Sequence, residues 1–296
     1  MSAESGKMRI ELEWRLQETF RSFILPTITY LFLYQVVPVP KSFSKQGKAF
    51  EFKTRVLSTI NAFICIYCCF YTFIASPAEL RTKAWTSVVY YNPMISFVIT
   101  QYSGYLIQDM IVICLKKSRD DFIYLIHHSL AISLNIIVLS CNFVPQLANM
   151  RMLMEMSTPF VNLRWFMMKS RMLERNDMRK EKVEVLNEYI ILVLFITCRI
   201  CIIPVFWVSK YKLQIGLELF GNSVVDAFMS FTMAGIDILN VYWVMKIANI
   251  VKVAGNKKTN YVSQSRCELY ESENVWMKGT KLVNVPLLPD EIKLIA

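Results

Sequence analysis

The only two histidines of the chain, His127 and His128, stand side by side in the apolar run FIYLIHHSLAISL, residues 122–134. An imidazole there can act as a general base, as a transiently acylated nucleophile, or as a polar hold on a lipid headgroup. A base also needs an orienting partner, and Asp109 is the nearest candidate. Asp109 and the histidine pair each lie about nine residues from the middle of the basic turn KKSRDD, so a rise of ~1.5 Å per residue puts them at equal depth on antiparallel neighbours. A hydrogen bond from a histidine to Asp109 across that hairpin is the expectation. The pair lies about 10 Å in from the end of the hairpin.

A second concentration of polar residues is RMLMEMSTPFVNLRWFM, residues 151–167. Arg151, Glu155, Thr158, Asn162 and Trp165 recur at three- and four-residue steps, which places them on one helical face. Pro159 has no N–H for the carbonyl of Glu155 and crowds it, so the pattern predicts a kink and an unpaired acceptor. In hydrocarbon such a face is tolerable only toward protein or a wet cavity. Arg199 on the next helix reaches nearly the depth of Glu155, and an ion pair between them is expected. Asp237, counted back from Lys246, falls in the layer of Asn162 and the histidines. His127, His128, Asp109 and Glu155 are therefore the candidate catalytic residues. Ser157, Thr158, Asn162, Trp165, Arg199, Asp237, Asn240 and Trp243 are the candidate lining of a lipid cavity.

These residues need membrane helices to hold them. Of 296 residues 54% are hydrophobic and 19% charged, and mean hydropathy is +0.36. That composition fits a polytopic membrane protein. Apolar windows at 22–39, 56–77, 93–115, 122–144, 146–168, 188–208 and 223–245 approach or exceed the ~20 residues of a spanning helix. The first, which contains Pro26, is marginal, and a six-helix arrangement is the alternative. With seven spans, twenty-two of the thirty-three lysines and arginines fall on the side of the C-terminus and eight on the other. That asymmetry predicts a cytosolic C-terminus and an exterior or lumenal N-terminus. The net charge of +10 is mostly juxtamembrane. Anionic lipid headgroups account for it without nucleic acid.

The N-terminus lacks the pattern of a removable signal peptide. Two C-x-x-C spacings, Cys65 with Cys68 and Cys198 with Cys201, lie inside apolar helices without further ligands and are read as packing. No metal site and no cofactor are expected. Three regions follow: an N-terminal segment 1–47 carrying the helix at 22–39, a helical domain 48–255, and a polar cytosolic tail 256–296. The tail ends DEIKLIA and has neither a K-D-E-L nor a dilysine signal.

His127-His128, then Asn142-Phe143, then M-E-M-S-T-P-F-V-N-L-R-W and the late L-N-x-x-W at Leu239, Asn240 and Trp243 together resemble the TLC domain. That domain is shared by translocating-chain-associated membrane proteins, longevity-assurance-type ceramide synthases and a ceroid-lipofuscinosis membrane protein. The E-x-S-T-P-F-x-N-x-R-W form is most similar to the TLC domain-containing protein 4 group, also called the transmembrane protein 56 group. The resemblance covers about residues 48–255. It implies an all-α endoplasmic-reticulum protein with six helices around a central cavity, plus one N-terminal helix. Ceramide synthases, which are acyl-CoA-dependent N-acyltransferases, carry a later His-Asp pair; aligned on His127-His128, that histidine falls on Met154 and the Asp on Glu155. The acid is kept and the third imidazole is lost.

Three functions are weighed. The first is control of membrane lipid composition without catalysis, with membrane lipids as partners. The second is acyl transfer from acyl-CoA or a phospholipid, using His127 or His128 with Asp109. The third is sorting of endoplasmic-reticulum cargo through the tail. Oligomeric state is not legible in the sequence.

Overall fold

The computed structural model describes residues 3–79, 82, 91–116, 122–142, 145–171, 178–214, 227–249 and 251–252. The described helices of residues 3–249 belong to the unit Met1–Val251; a second unit, Lys252–Ala296, holds the tail, which lies outside the described residues except at its first position. Among the described residues there is no strand.

The order is α1 (Ala3–Val36), α2 (Lys41–Lys45) and α3 (Ala49–Phe70), which runs into a π turn at Tyr71–Ala75. Next come α4 (Pro93–Lys116), α5 (Phe122–Cys141) and α6 (Pro145–Met152). A 3-10 segment, Leu153–Ser157, joins α6 to α7 (Thr158–Arg171). Helix α8 (Met178–Phe195) passes through a second π turn, Ile196–Ile200, into α9 (Ile202–Gln214), and α10 covers Ala227–Asn249.

Local sequence explains several boundaries. The side chain of Asn92 caps α4 by accepting from the N–H groups of Met94 (3.0 Å) and Ile95 (3.2 Å), while Pro93 occupies the first helical position, where no donor is missed. Asn142 ends α5 in the left-handed region at φ 47°, a conformation asparagine tolerates better than most residues. Gly47, at φ 68°, turns the chain from α2 into α3.

Five stretches are long and apolar enough to cross a membrane: Ala49–Ala75, Pro93–Lys116, Phe122–Cys141, Val183–Tyr211 and Ala227–Asn249. The expected spans at 22–39 and 146–168 are not among them. Helix α1 ends at Val36, so its apolar part is shorter than the ~20 residues a span needs. The other stretch carries Arg151, Glu155 and Arg164, and protein surrounds its first half: every residue of α6 is buried. A polar helix clothed by other helices need not itself be lipid-compatible.

Helix α1 lies tightly along α4. At Gly104 an added Cβ would stand 2.4 Å from the Cβ of Pro26 and 2.8 Å from the backbone nitrogen of Thr27, so only glycine admits this approach. Tyr30 and Tyr105 meet edge to face at 5.6 Å across the same seam. The apolar core continues through Leu57, Ile99, Leu106, Leu147, Phe206 and Met233. Around one end of the bundle, Phe43 of α2 is seated among Phe52, Phe166 and a stacked Trp165 (5.7 Å), while Arg55 lies over Trp165 and Lys116 over Phe50.

Candidate functional site

The centre of the bundle holds a cavity of about 500 Å³, counted to its mouth, walled by α4, α5, α6, the 3-10 segment, the second π turn and α10. The lining is mixed. Ala131, Leu134, Met152 and Met233 supply apolar wall, and Tyr102, His127, Arg151, Glu155 and Arg199 supply the polar part.

The two histidines part company. His127 lines the cavity and meets Trp243 edge to face at 4.9 Å; its Nδ1 is buried without a hydrogen-bond partner. His128, one residue on and about 100° around the helix, turns to α4 instead, where its Nδ1 stands 3.7 Å from an Asp109 carboxylate oxygen. Equal depth does bring Asp109 to the pair, but only to His128, and at a separation beyond a hydrogen bond. Nearby, Asn135 donates to Ser103 at 2.9 Å and fixes the α4–α5 seam.

The expected Glu155 to Arg199 ion pair does not form. Glu155 accepts from the hydroxyls of Tyr102 (3.2 Å) and Thr158 (2.8 Å). Arg199 donates from Nε to Ser157 (3.2 Å) and from Nη1 to Asn240 (3.0 Å), and its guanidinium lies over Phe195 (4.4 Å) and Trp243 (5.7 Å). Neutral side chains absorb the donors and acceptors that a direct pair would have used. Both charges still face the same cavity.

Asp237 also departs from its expected layer. It takes both nitrogens of the Arg151 guanidinium, with Nη2 to Oδ2 at 3.2 Å and Nη1 to Oδ1, and accepts from the indole of Trp207 at 2.9 Å. The ring of Phe206 covers the Arg151 guanidinium at 4.3 Å. This pair is closed: opposite charges, bidentate geometry and apolar cover.

The fifth-segment stripe is divided too. Arg151 and Glu155 line the cavity, but Asn162 turns to α3. There it accepts from Arg55 (3.1 Å) and donates to the Arg55 carbonyl, Ser58 and Thr59 (3.1, 3.3 and 2.8 Å). Trp165 stacks on Phe43 and is not in the cavity wall. The 3-10 turns explain this, because three residues per turn rotate successive side chains by ~120° and break the 3.6-residue register. They also overturn the unpaired acceptor: the N–H of Thr158 reaches the Glu155 carbonyl in place of the donor Pro159 lacks.

Of the remaining expected residues, Ser157 and Asn240 are fully buried behind Arg199, and Trp243 sits between Arg199 and His127. Sequence reasoning missed Tyr102 and Trp207, whose phenol and indole reach the half-buried Glu155 and the buried Asp237. Neither carries a signal in helical period; only proximity reveals them. Among the described residues no group of His, Cys, Asp or Glu could hold a metal ion. Cys65 and Cys68 are buried in α3, and the neighbouring Cys69 thiol reaches the Asn149 carbonyl at 3.3 Å.

Several apolar helices joined into one bundle, with ionisable side chains turned inward to a central cavity, define a multi-pass α-helical membrane protein. The chain belongs to the TLC domain family, whose model matches residues 51–249, from the start of α3 to the end of α10. It is similar to TLC domain-containing protein 4-B of Danio rerio, 29% identical over 228 residues that cover 74% of this chain and 83% of the relative. Similarity to TLC domain-containing protein 4 of Homo sapiens is 28% over 225 residues, or 75% and 81% of the two chains. TLC domain-containing protein 4-B of Xenopus laevis is 28% identical over 202 residues, 67% and 73%. No solved structure matches the chain.

Proposed function

We propose that this protein controls membrane lipid composition by holding a lipid in its central cavity, in the endoplasmic-reticulum membrane with its C-terminus in the cytosol. The observation that carries the reading is the cavity lining. An apolar wall suits an acyl chain or glycerol region, and the inward-facing His127, Glu155 and Arg199 suit a polar headgroup. Charged side chains inside a membrane bundle are costly unless a partner or function retains them. Orientation rests on the crowding of lysine and arginine on the side of the C-terminus.

Acyl transfer is the second reading, and one observation favours it: His127 lines the cavity beside groups able to stabilise charge. The carboxylate arrangement argues the other way. Asp109 faces His128, which is outside the cavity wall, so the residue open to substrate has no carboxylate to orient it among the described residues. Holding a lipid needs no such relay, and we rank it above catalysis.

Cells lacking the protein, rescued with wild type or with H127A, separate these readings by lipidomics. Altered phospholipid or sphingolipid profiles corrected by wild type support the role. Full correction by the histidine variant removes catalysis at His127 and leaves lipid holding. An unchanged profile in the absence of the protein would sink both.

A further inference from the structure

Glu155 and Arg199 offer an unfilled electrostatic complement. Both line one cavity, Glu155 acts on Arg199 electrostatically, and yet they make no ion pair; each is held only by neutral groups among the described residues. The contrast with Arg151 and Asp237, which close on one another in the same cavity region, shows that the bundle can pair buried charges where its geometry allows. A buried cation and a half-buried anion kept apart inside a membrane bundle each carry a cost. A ligand with a negative and a positive group relieves both costs at once.

We propose that the cavity holds the headgroup of a zwitterionic lipid bearing a primary ammonium, with its phosphate on Arg199 and its ammonium on Glu155. The proposal rests on reading the cavity as a lipid-holding site and narrows it to one headgroup class. Arg199 keeps Nη2 free of protein partners among the described residues, and a guanidinium edge matches a phosphate oxygen. Each Glu155 oxygen accepts one hydroxyl and retains a lone pair, and a primary ammonium supplies three N–H donors for them. A quaternary ammonium has no N–H and is recognised by aromatic faces. The rings of Phe195 and Trp243 already cover the Arg199 guanidinium. A purely anionic lipid would satisfy Arg199 and leave Glu155 opposed, whereas a long-chain base would satisfy Glu155 alone.

The test uses the full chain purified in detergent and titrated with lipids of matched acyl chains, with binding read by native mass spectrometry and by thermal shift. The panel contains phosphatidylethanolamine, phosphatidylcholine, phosphatidylglycerol, a sphingoid base and water-soluble glycerophosphoethanolamine. Wild type should bind phosphatidylethanolamine about tenfold or more tightly than phosphatidylglycerol or phosphatidylcholine, the value of one charge-assisted hydrogen bond. E155Q should erase that preference, E155D should retain part of it, and R199M should weaken every phospholipid while leaving the sphingoid base unaffected. Equal binding of all phospholipids by wild type overturns the headgroup assignment but leaves lipid holding intact, and needs no variant to fold. Retained preference in a folded E155Q overturns it as well. If glycerophosphoethanolamine binds as tightly as the lipid, the occupant is a soluble zwitterion and the lipid source is wrong. Absence of binding by any lipid overturns both this proposal and the reading beneath it.

Discussion

Two charge couples occupy the middle of this bundle and have been treated in opposite ways. Arg151 and Asp237 join α6 to α10 in a bidentate pair, backed by Trp207 and covered by Phe206. Glu155 and Arg199 sit one helical turn further along, on the 3-10 segment and the second π turn, and remain apart with neutral hydrogen-bond partners. The closed pair lies on two regular helices, Arg151 in the last turn of α6 and Asp237 mid-way along α10. The open couple lies on two irregular turns, where helix geometry is often bent to present groups to a ligand. Charge in this protein is therefore used twice: once to fasten helices and once to leave a site.

The comparison is broken most directly at the closed pair. Asp237→Leu leaves Arg151 buried without its counter-charge and should cost about 3–5 kcal/mol, the usual result of removing one partner of a buried pair. Thermal unfolding in detergent measures it, and Arg151→Met combined with Asp237→Leu should recover most of the loss. A single variant as stable as wild type would mean that the pair fastens nothing.

Next in size is Trp207→Phe, which removes the indole donor from Asp237 and should lower stability by about 1.5–3 kcal/mol, as for a hydrogen bond to a charged group. The open couple should behave otherwise. Arg199→Met removes a buried cation that makes no ion pair among the described residues, which offsets part of the loss of its hydrogen bonds to Ser157 and Asn240, so lipid-free stability should fall by about 1–2 kcal/mol, well short of the loss in Asp237→Leu. A drop as large as that of Asp237→Leu would show Arg199 to be structural and would collapse the distinction. The smallest effect is expected for Thr158→Val, about 0.5–1.5 kcal/mol for one hydrogen bond to Glu155. It should also reorient the carboxylate, detectable as a reduced thermal shift on adding phosphatidylethanolamine.

Much of the scaffold was legible beforehand. The five membrane-competent helices fall within or near five of the seven apolar windows, and the TLC resemblance drawn on His127-His128 and the E-x-S-T-P-F segment covers the region of the family match. Depth also carried real information: it brought Asp109 to the histidines. It could not say that Asp237 would meet Arg151, or that His127 and His128 turn to different neighbours.

Composition and apolar run length determined that this chain enters a membrane as helices, because a bilayer admits backbone only where its hydrogen bonds are internal. The same residues fixed which charges the bundle would have to bury. Which charges meet was decided by tertiary structure. Residue count gives height along a helix, but contact depends on rotation about it, and the 3-10 turns before Pro159 rotate Asn162 and Trp165 away from the stripe they share in sequence. That rotation, together with the packing of α10 against α6 and α9, closed Arg151 on Asp237 and left Glu155 and Arg199 facing an open space.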